Sequence, residues 1–174
     1  RRHIRDADVD RLQATITTVL NLEMAATAEM IAIAARVKPA VITLVPERRE
    51  ERTTEGGLDV RGQRAAVAKA IAMAKEAGIK TSLFIAAEAD AVEASKEVGA
   101  DQIELHTGDY CHHPTPAELE RLQNAARWAA DAGLEVAAGH GLTRHNVVAV
   151  AAIPQRRPRG ARRFALRGPA ASGR

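Results

Sequence analysis

Helical and β-type segments alternate along most of this chain, and that alternation restricts its fold more than any other property. A helix from Asp6 to about Thr17 leads into VLNLEMA, and one from Thr27 to Val37 leads into VITLVPE. After a polar stretch, a helix from about Gln63 to Ala77, closed by Gly78, leads into KTSLFI. A helix from Ala89 to Val98 precedes DQIELHT, and one from Pro116 to Ala132 precedes LEVAAG. A last helix, from Thr143 to about Ala152, stops before Pro154. Thr115, Pro116 and Glu118 supply a cap, a first-turn proline and a capping-box acid, and Gly133 stands where the chain must turn left-handed. Strands joined through helices run parallel with right-handed crossovers, which leaves two architectures, an open doubly wound sheet or a closed (β/α) barrel.

Period two within the strands chooses between them. In DQIELHT, Ile103 and Leu105 share one face, while Gln102, Glu104 and His106 share the other. In VLNLEMA, Leu20, Leu22 and Met24 oppose Asn21 and Glu23. A doubly wound sheet is covered by helices on both faces and needs both apolar. A barrel needs only its outer face apolar, because the top of its interior is a site open to ligands. No G-x-G-x-x-G motif opens a helix. Eight units take roughly 200 residues or more, and about five are counted in residues 1–154. The expected fold is therefore α/β, a partial (β/α)8 TIM barrel lacking strands at both ends. Residues 155–174, rich in Arg, Gly and Pro, form a tail expected to add no packed element.

Charge is divided the same way. The net charge is +3, yet the last twenty residues hold seven arginines and no acid, so the first 154 carry −4. That body offers nothing to nucleic acid, and the tail has no recognition motif. No apolar run reaches the roughly 18 residues of a membrane span, and no signal-like segment opens the sequence. The single Cys111 excludes an internal disulfide. Together these point to the cytoplasm.

In a barrel, side chains at the C-terminal strand ends carry the chemistry. They are Glu23, Glu47, Glu104, His106 and His140. Any one carboxylate could be a solvated acid at a loop mouth, but several titratable groups from different strand ends are what proton transfer requires. His140 lies between Gly139 and Gly141, which let the backbone turn and leave room for a ligand. His145, in the first turn of the last helix, reads as a loop histidine. Cys111, His112 and His113 are adjacent and lack a second ligand pair, so no metal site is expected. The long connection ERREERTTEGGLDV could close as a lid, with Thr53 offering a hydroxyl to an anion and Gly56 and Gly57 a hinge. A charged surface loop accounts for its five charges from Glu47 to Glu51 equally well, though not for Thr53 and the glycines.

RRHI, NLEMA, LVPERREERTTEGGLDV, SLFI, IELHTGDY, AGHGLTRHN and AIP, in this order and spacing, resemble the pyridoxine 5′-phosphate synthase family of deoxyxylulose-dependent vitamin B6 biosynthesis. The resemblance runs from Arg1 to about Pro154. It implies a (β/α)8 barrel assembled as a homo-octamer, with no metal or organic cofactor. The implied reaction joins 3-amino-2-oxopropyl phosphate to 1-deoxy-D-xylulose 5-phosphate, giving pyridoxine 5′-phosphate, phosphate and water. Motif by motif, Glu23 corresponds to a general base, Glu104 to a transition-state stabiliser and His140 to the proton donor. His3 and Thr53 correspond to groups binding the deoxyxylulose phosphate, and Gly141 to one binding the aminoketone phosphate.

The family's first strand, and the catalytic His and substrate-binding Arg of its second, would lie before Arg1. Its Gly-His phosphate site would fall near Arg162 and Arg163 and is absent. Residue 137, often Asn in the family, is Ala. The chain alone is accordingly expected not to turn over. Two other readings stand beside the enzyme: a non-catalytic fragment that only associates with intact subunits, and another phosphate-handling barrel of aldolase type. The last would need a Schiff-base lysine at a strand end, whereas Lys80 begins a strand and Lys38 precedes one.

Overall fold

The computed structural model describes residues 4–48 and 56–154, and the backbone of residues 165–166. Helix α1 (Asp6–Thr15) precedes β1 (Asn21–Met24), and α2 (Ala28–Val37) leads to β2 (Val41–Leu44). Then come α3 (Arg64–Glu76), β3 (Lys80–Ile85), α4 (Ala89–Glu97), β4 (Gln102–His106) and a short α5 (Gly108–His112). The order ends with α6 (Pro116–Asp131), β5 (Glu135–Gly139), α7 (Val147–Ala151) and β6 (Ala165–Leu166). Helix starts follow local chemistry. The Thr27 and Thr115 hydroxyls accept from the backbone N–H groups of Met30 and Glu118, at 3.3 and 3.2 Å, satisfying donors the first turn leaves open. The Glu118 carboxylate pairs with Arg121 at 3.2 Å.

All strands are parallel, in the spatial order β1-β2-β3-β4-β5-β6. Because the order never reverses, right-handed crossovers put every helix on one side of the sheet, whereas a doubly wound sheet reverses and is covered on both. The sheet is an arc of a (β/α)8 barrel. Its helix-facing surface carries Ile42, Leu44, Leu83, Ile85, Ile103 and Leu105, all essentially inaccessible, packed on Ile31, Val67, Ile71 and Leu122 of the helices. Among the described residues, no helix is long and apolar enough to cross a membrane.

Three expectations are corrected. The tail was expected to add no packed element, yet residues 165 and 166 pair with Ala137 and Ala138 as β6. The outer edge of β5 offers backbone N–H and C=O groups, and residues 165 and 166 meet them. Helix α5 was not foreseen, since five residues of GDYCH show no helical period. The last helix begins at Val147 rather than Thr143, because residues 143–146 fold into a turn in which the Asn146 amide oxygen accepts from Thr143 N–H at 2.7 Å. His145 belongs to that turn.

Candidate active site at the C-terminal strand ends

Register places the candidate side chains. Glu23 pairs with Thr43, Thr43 with Ser82 and Ser82 with Gln102, so these four share one sheet face. Phe84 pairs with Glu104, and Glu104 with Ala137, on that same face two residues nearer the C-terminal end. His106 follows on this face at the end of β4, opposite Gly139 at the end of β5. This inner surface is polar even where it is closed: Thr43 and Ser82 are fully buried, and the Thr43 hydroxyl donates to the Asn21 amide oxygen at 2.9 Å. Glu104 is only 4% exposed, whereas Glu23 and His140 are open to solvent. A carboxyl shielded from bulk water acts on a nearby developing charge more strongly than one in water.

The imidazole of His140 stacks on that of His106, with centroids 4.7 Å apart and planes 25° from parallel. Phe84 meets His106 edge-on at 5.2 Å and His140 at 6.2 Å. Strands β3 and β4 and the turn after β5 thus each contribute a ring to one cluster at the barrel mouth. The flanking glycines were expected to make the turn at His140. The structure divides it differently: His140 itself has φ 82° and Gly141 φ 77°, while Gly139 ends the strand. A non-glycine residue in the left-handed region is uncommon and costs about 1–3 kcal/mol, and such strain gathers at functional positions. A Cβ on Gly141 would lie 3.0 Å from Cys111 Cβ, so a side chain here would be strained in the backbone and crowded against α5.

The loop after β2 returns over the same mouth. Leu58 N–H donates to the Phe84 carbonyl at 2.8 Å, and a Cβ on Gly57 would lie 2.3 Å from the backbone nitrogen of Ala86. Gly57 therefore lets the chain lie directly against the end of β3. A Cβ on Gly56 would come within 3.3 Å of His106 Nε2, so the loop's downstream end sits on the ring cluster. Thr53, with the rest of 49–55, lies outside the described residues, as does His3. Glu47 is exposed beyond β2.

At the opposite end, Lys80 pairs with Glu135 at 2.5 Å. Lys38, with φ 52°, caps α2. Neither lysine stands at a C-terminal strand end. Cys111 and His112 lie on α5, and burial pushes the Cys111 thiol above its ordinary pKa, against weaker opposing hydrogen bonds with Thr107 and Asn146. Among the described residues no group of three or more His, Cys, Asp or Glu could hold a metal ion.

The structure thus brings together His106, His140 and Gly141, and puts Glu23 and Glu104 on the face that leads to them. Sequence reasoning missed Phe84, although period two puts it on Glu104's face. It also missed Thr107, whose partners lie 32 and 33 residues away.

Known proteins resemble this chain in fold and in sequence. The A-subunit of tryptophan synthase from Pyrococcus furiosus superposes with a TM-score of 0.57 over 83% of this chain and 56% of its own, at 18% identity, a likeness of fold alone. Pyridoxine 5′-phosphate synthase from Xanthobacter autotrophicus is 57% identical over 162 residues, covering 89% of this chain and 63% of the relative. The synthase from a Synechococcus species is 53% identical over 156 residues, covering 88% and 63%. The chain thus spans about 63% of the length of these curated relatives. The family described as pyridoxal phosphate biosynthesis protein PdxJ matches residues 1–157, and the chain belongs to that family.

Proposed function

We propose that the described mouth is the acid–base site of a pyridoxine 5′-phosphate synthase, condensing 3-amino-2-oxopropyl phosphate with 1-deoxy-D-xylulose 5-phosphate. The observation that carries this reading is the strained His140, stacked on His106 above the buried Glu104. Closing a pyridine ring from an amine and a ketone takes carbinolamine dehydration, phosphate loss and deprotonation beside carbonyls. Each needs a proton delivered to a leaving oxygen or removed from carbon or nitrogen, a task suited to Glu and His near neutral pH. Glu23, exposed at the end of β1, serves as general base. Glu104 stabilises charge developing in the transition state, and His140 donates a proton to the departing oxygen. Gly141 gives the aminoketone phosphate a backbone unhindered by a side chain, and His3 and Thr53 bind the deoxyxylulose phosphate. No cofactor enters this scheme. The enzyme acts in the cytoplasm as a homo-oligomer.

A second reading rests on the sheet edges, since β1 and β6 each pair on one side only among the described residues. Open edges favour docking on another subunit. In that reading the chain associates with intact synthase without turning over substrate. The test supplies both substrates to the purified chain, expected to be silent alone, and to a synthase completed around it, and follows pyridoxine 5′-phosphate. Product from the completed synthase whose rate falls about 10²-fold in Glu23→Gln, which keeps volume and removes basicity, supports catalysis. Absence of product from the completed synthase, with stable binding of the chain to a full-length relative, supports the second reading. Product formed equally well by Glu23→Gln overturns the assignment of the base.

A further inference from the structure

We propose that Thr107 is the positioning residue for His140, its hydroxyl locking the left-handed turn that carries the imidazole. The proposal rests on the reading of His140 as proton donor. Thr107 is 1% exposed, directly after β4. Its Oγ lies 2.7 Å from the carbonyl oxygen of Gly139 and 2.6 Å from that of His140, so a single proton is shared between the two carbonyls that flank the strained φ. The Thr107 N–H donates to the Gly139 carbonyl at 2.9 Å, and the Cys111 thiol donates to the His140 carbonyl at 3.5 Å. Strand β5 would ordinarily run on extended beyond Gly139. These bonds hold its end to the start of α5 and turn His140 back over β4.

The turn decides where the ring goes. With φ at 82°, the His140 side chain leaves the backbone in a direction an extended residue would not give, and it arrives in contact with the ring of His106. The His106 ring is itself fixed, because its Nδ1 accepts from the Gly108 N–H at 3.3 Å. That bond needs a lone pair on Nδ1 and so orients the ring. Thr107 thus fixes the backbone of one histidine while the adjacent turn fixes the ring of the other. A hydroxyl is required; valine matches its shape and lacks the proton.

The experiment is NMR on the 174-residue chain, reading the histidine ring protons and the hydroxyl proton of Thr107. In the unmutated chain the His140 ring protons are expected to be displaced upfield by the stacked His106 ring, and the Thr107 hydroxyl proton to be protected from exchange. Thr107→Ser is expected to retain the His140 displacement, and Thr107→Val to lose it with β4 and β5 amides still dispersed as in the parent. A Thr107→Val chain with parental His140 ring shifts overturns the proposal. If that variant does not fold, a rapidly exchanging, averaged Thr107 hydroxyl in the unmutated chain overturns it instead. Neither readout requires turnover, so failure of the clamp is distinguishable from failure of the synthase reading.

Discussion

His140 combines a backbone that costs energy with a ring whose place depends on that cost. Replacing it separates the two. His140→Gly and His140→Ala both remove the ring, but only alanine retains a Cβ in the left-handed region, so the glycine variant should be more stable by about 1 kcal/mol in urea unfolding. Equal midpoints would show that the turn at φ 82° is not strained. Cys111 gives a second expectation. Burial raises its pKa, so less thiolate exists near neutral pH, and alkylation by iodoacetamide followed by mass spectrometry should lag behind that of a free thiol. A rate equal to the free thiol's would mean the side chain is not shielded. The placement of the candidates could be read without coordinates, because strand ends follow from period and Glu23, Glu104 and His140 stand at or beside them. The strain on His140 could not, since the neighbouring glycines were the obvious carriers of a turn. Nor could the role of Thr107, which depends on carbonyls in another strand.

Elements were legible in proportion to how local their causes are. β3 was delimited correctly as KTSLFI, and α2 and α6 begin where Thr27 and Thr115 cap them, because a cap acts within three residues. α7 shows the limit of that rule. Thr143 is a plausible cap, but the Asn146 side chain bonds back to it and delays the helix by one turn. β6 was invisible because its partner strand lies nearly thirty residues away and its own sequence has no period. Its two residues contribute a short ladder rather than core. Cutting the chain after Pro154 should therefore shift the unfolding midpoint little, while amide exchange rises at the β5 positions that face β6 and not at those facing β4. Unchanged exchange throughout β5 would show that β6 does not pair in solution.

For the molecule, strand order and the contrast between sheet faces carry one consequence: among the described residues the candidates Glu23, Glu104, His106 and His140 lie towards the C-terminal ends of the strands, and the N-terminal ends carry structural pairs. Lys80 with Glu135, and Asp101 accepting from the Thr81 N–H and hydroxyl at 2.8 and 2.7 Å, tie β3, β4 and β5 together where no chemistry is expected. The inner face was correctly expected to be polar near the mouth. That it is also polar deeper, at Thr43 and Ser82, follows from pairing between strands and not from any one segment. The direct measurement is titration of 1-deoxy-D-xylulose 5-phosphate into the isotopically labelled chain, with amide and imidazole shifts mapped residue by residue. Changes at His3, Thr53 and the mouth residues Gly56, Gly57, His106 and His140, with Lys80, Asp101 and Glu135 unmoved, are the predicted result. Changes centred on Lys80 and Glu135, or none at concentrations that saturate a full-length synthase, would contradict a substrate site at this mouth.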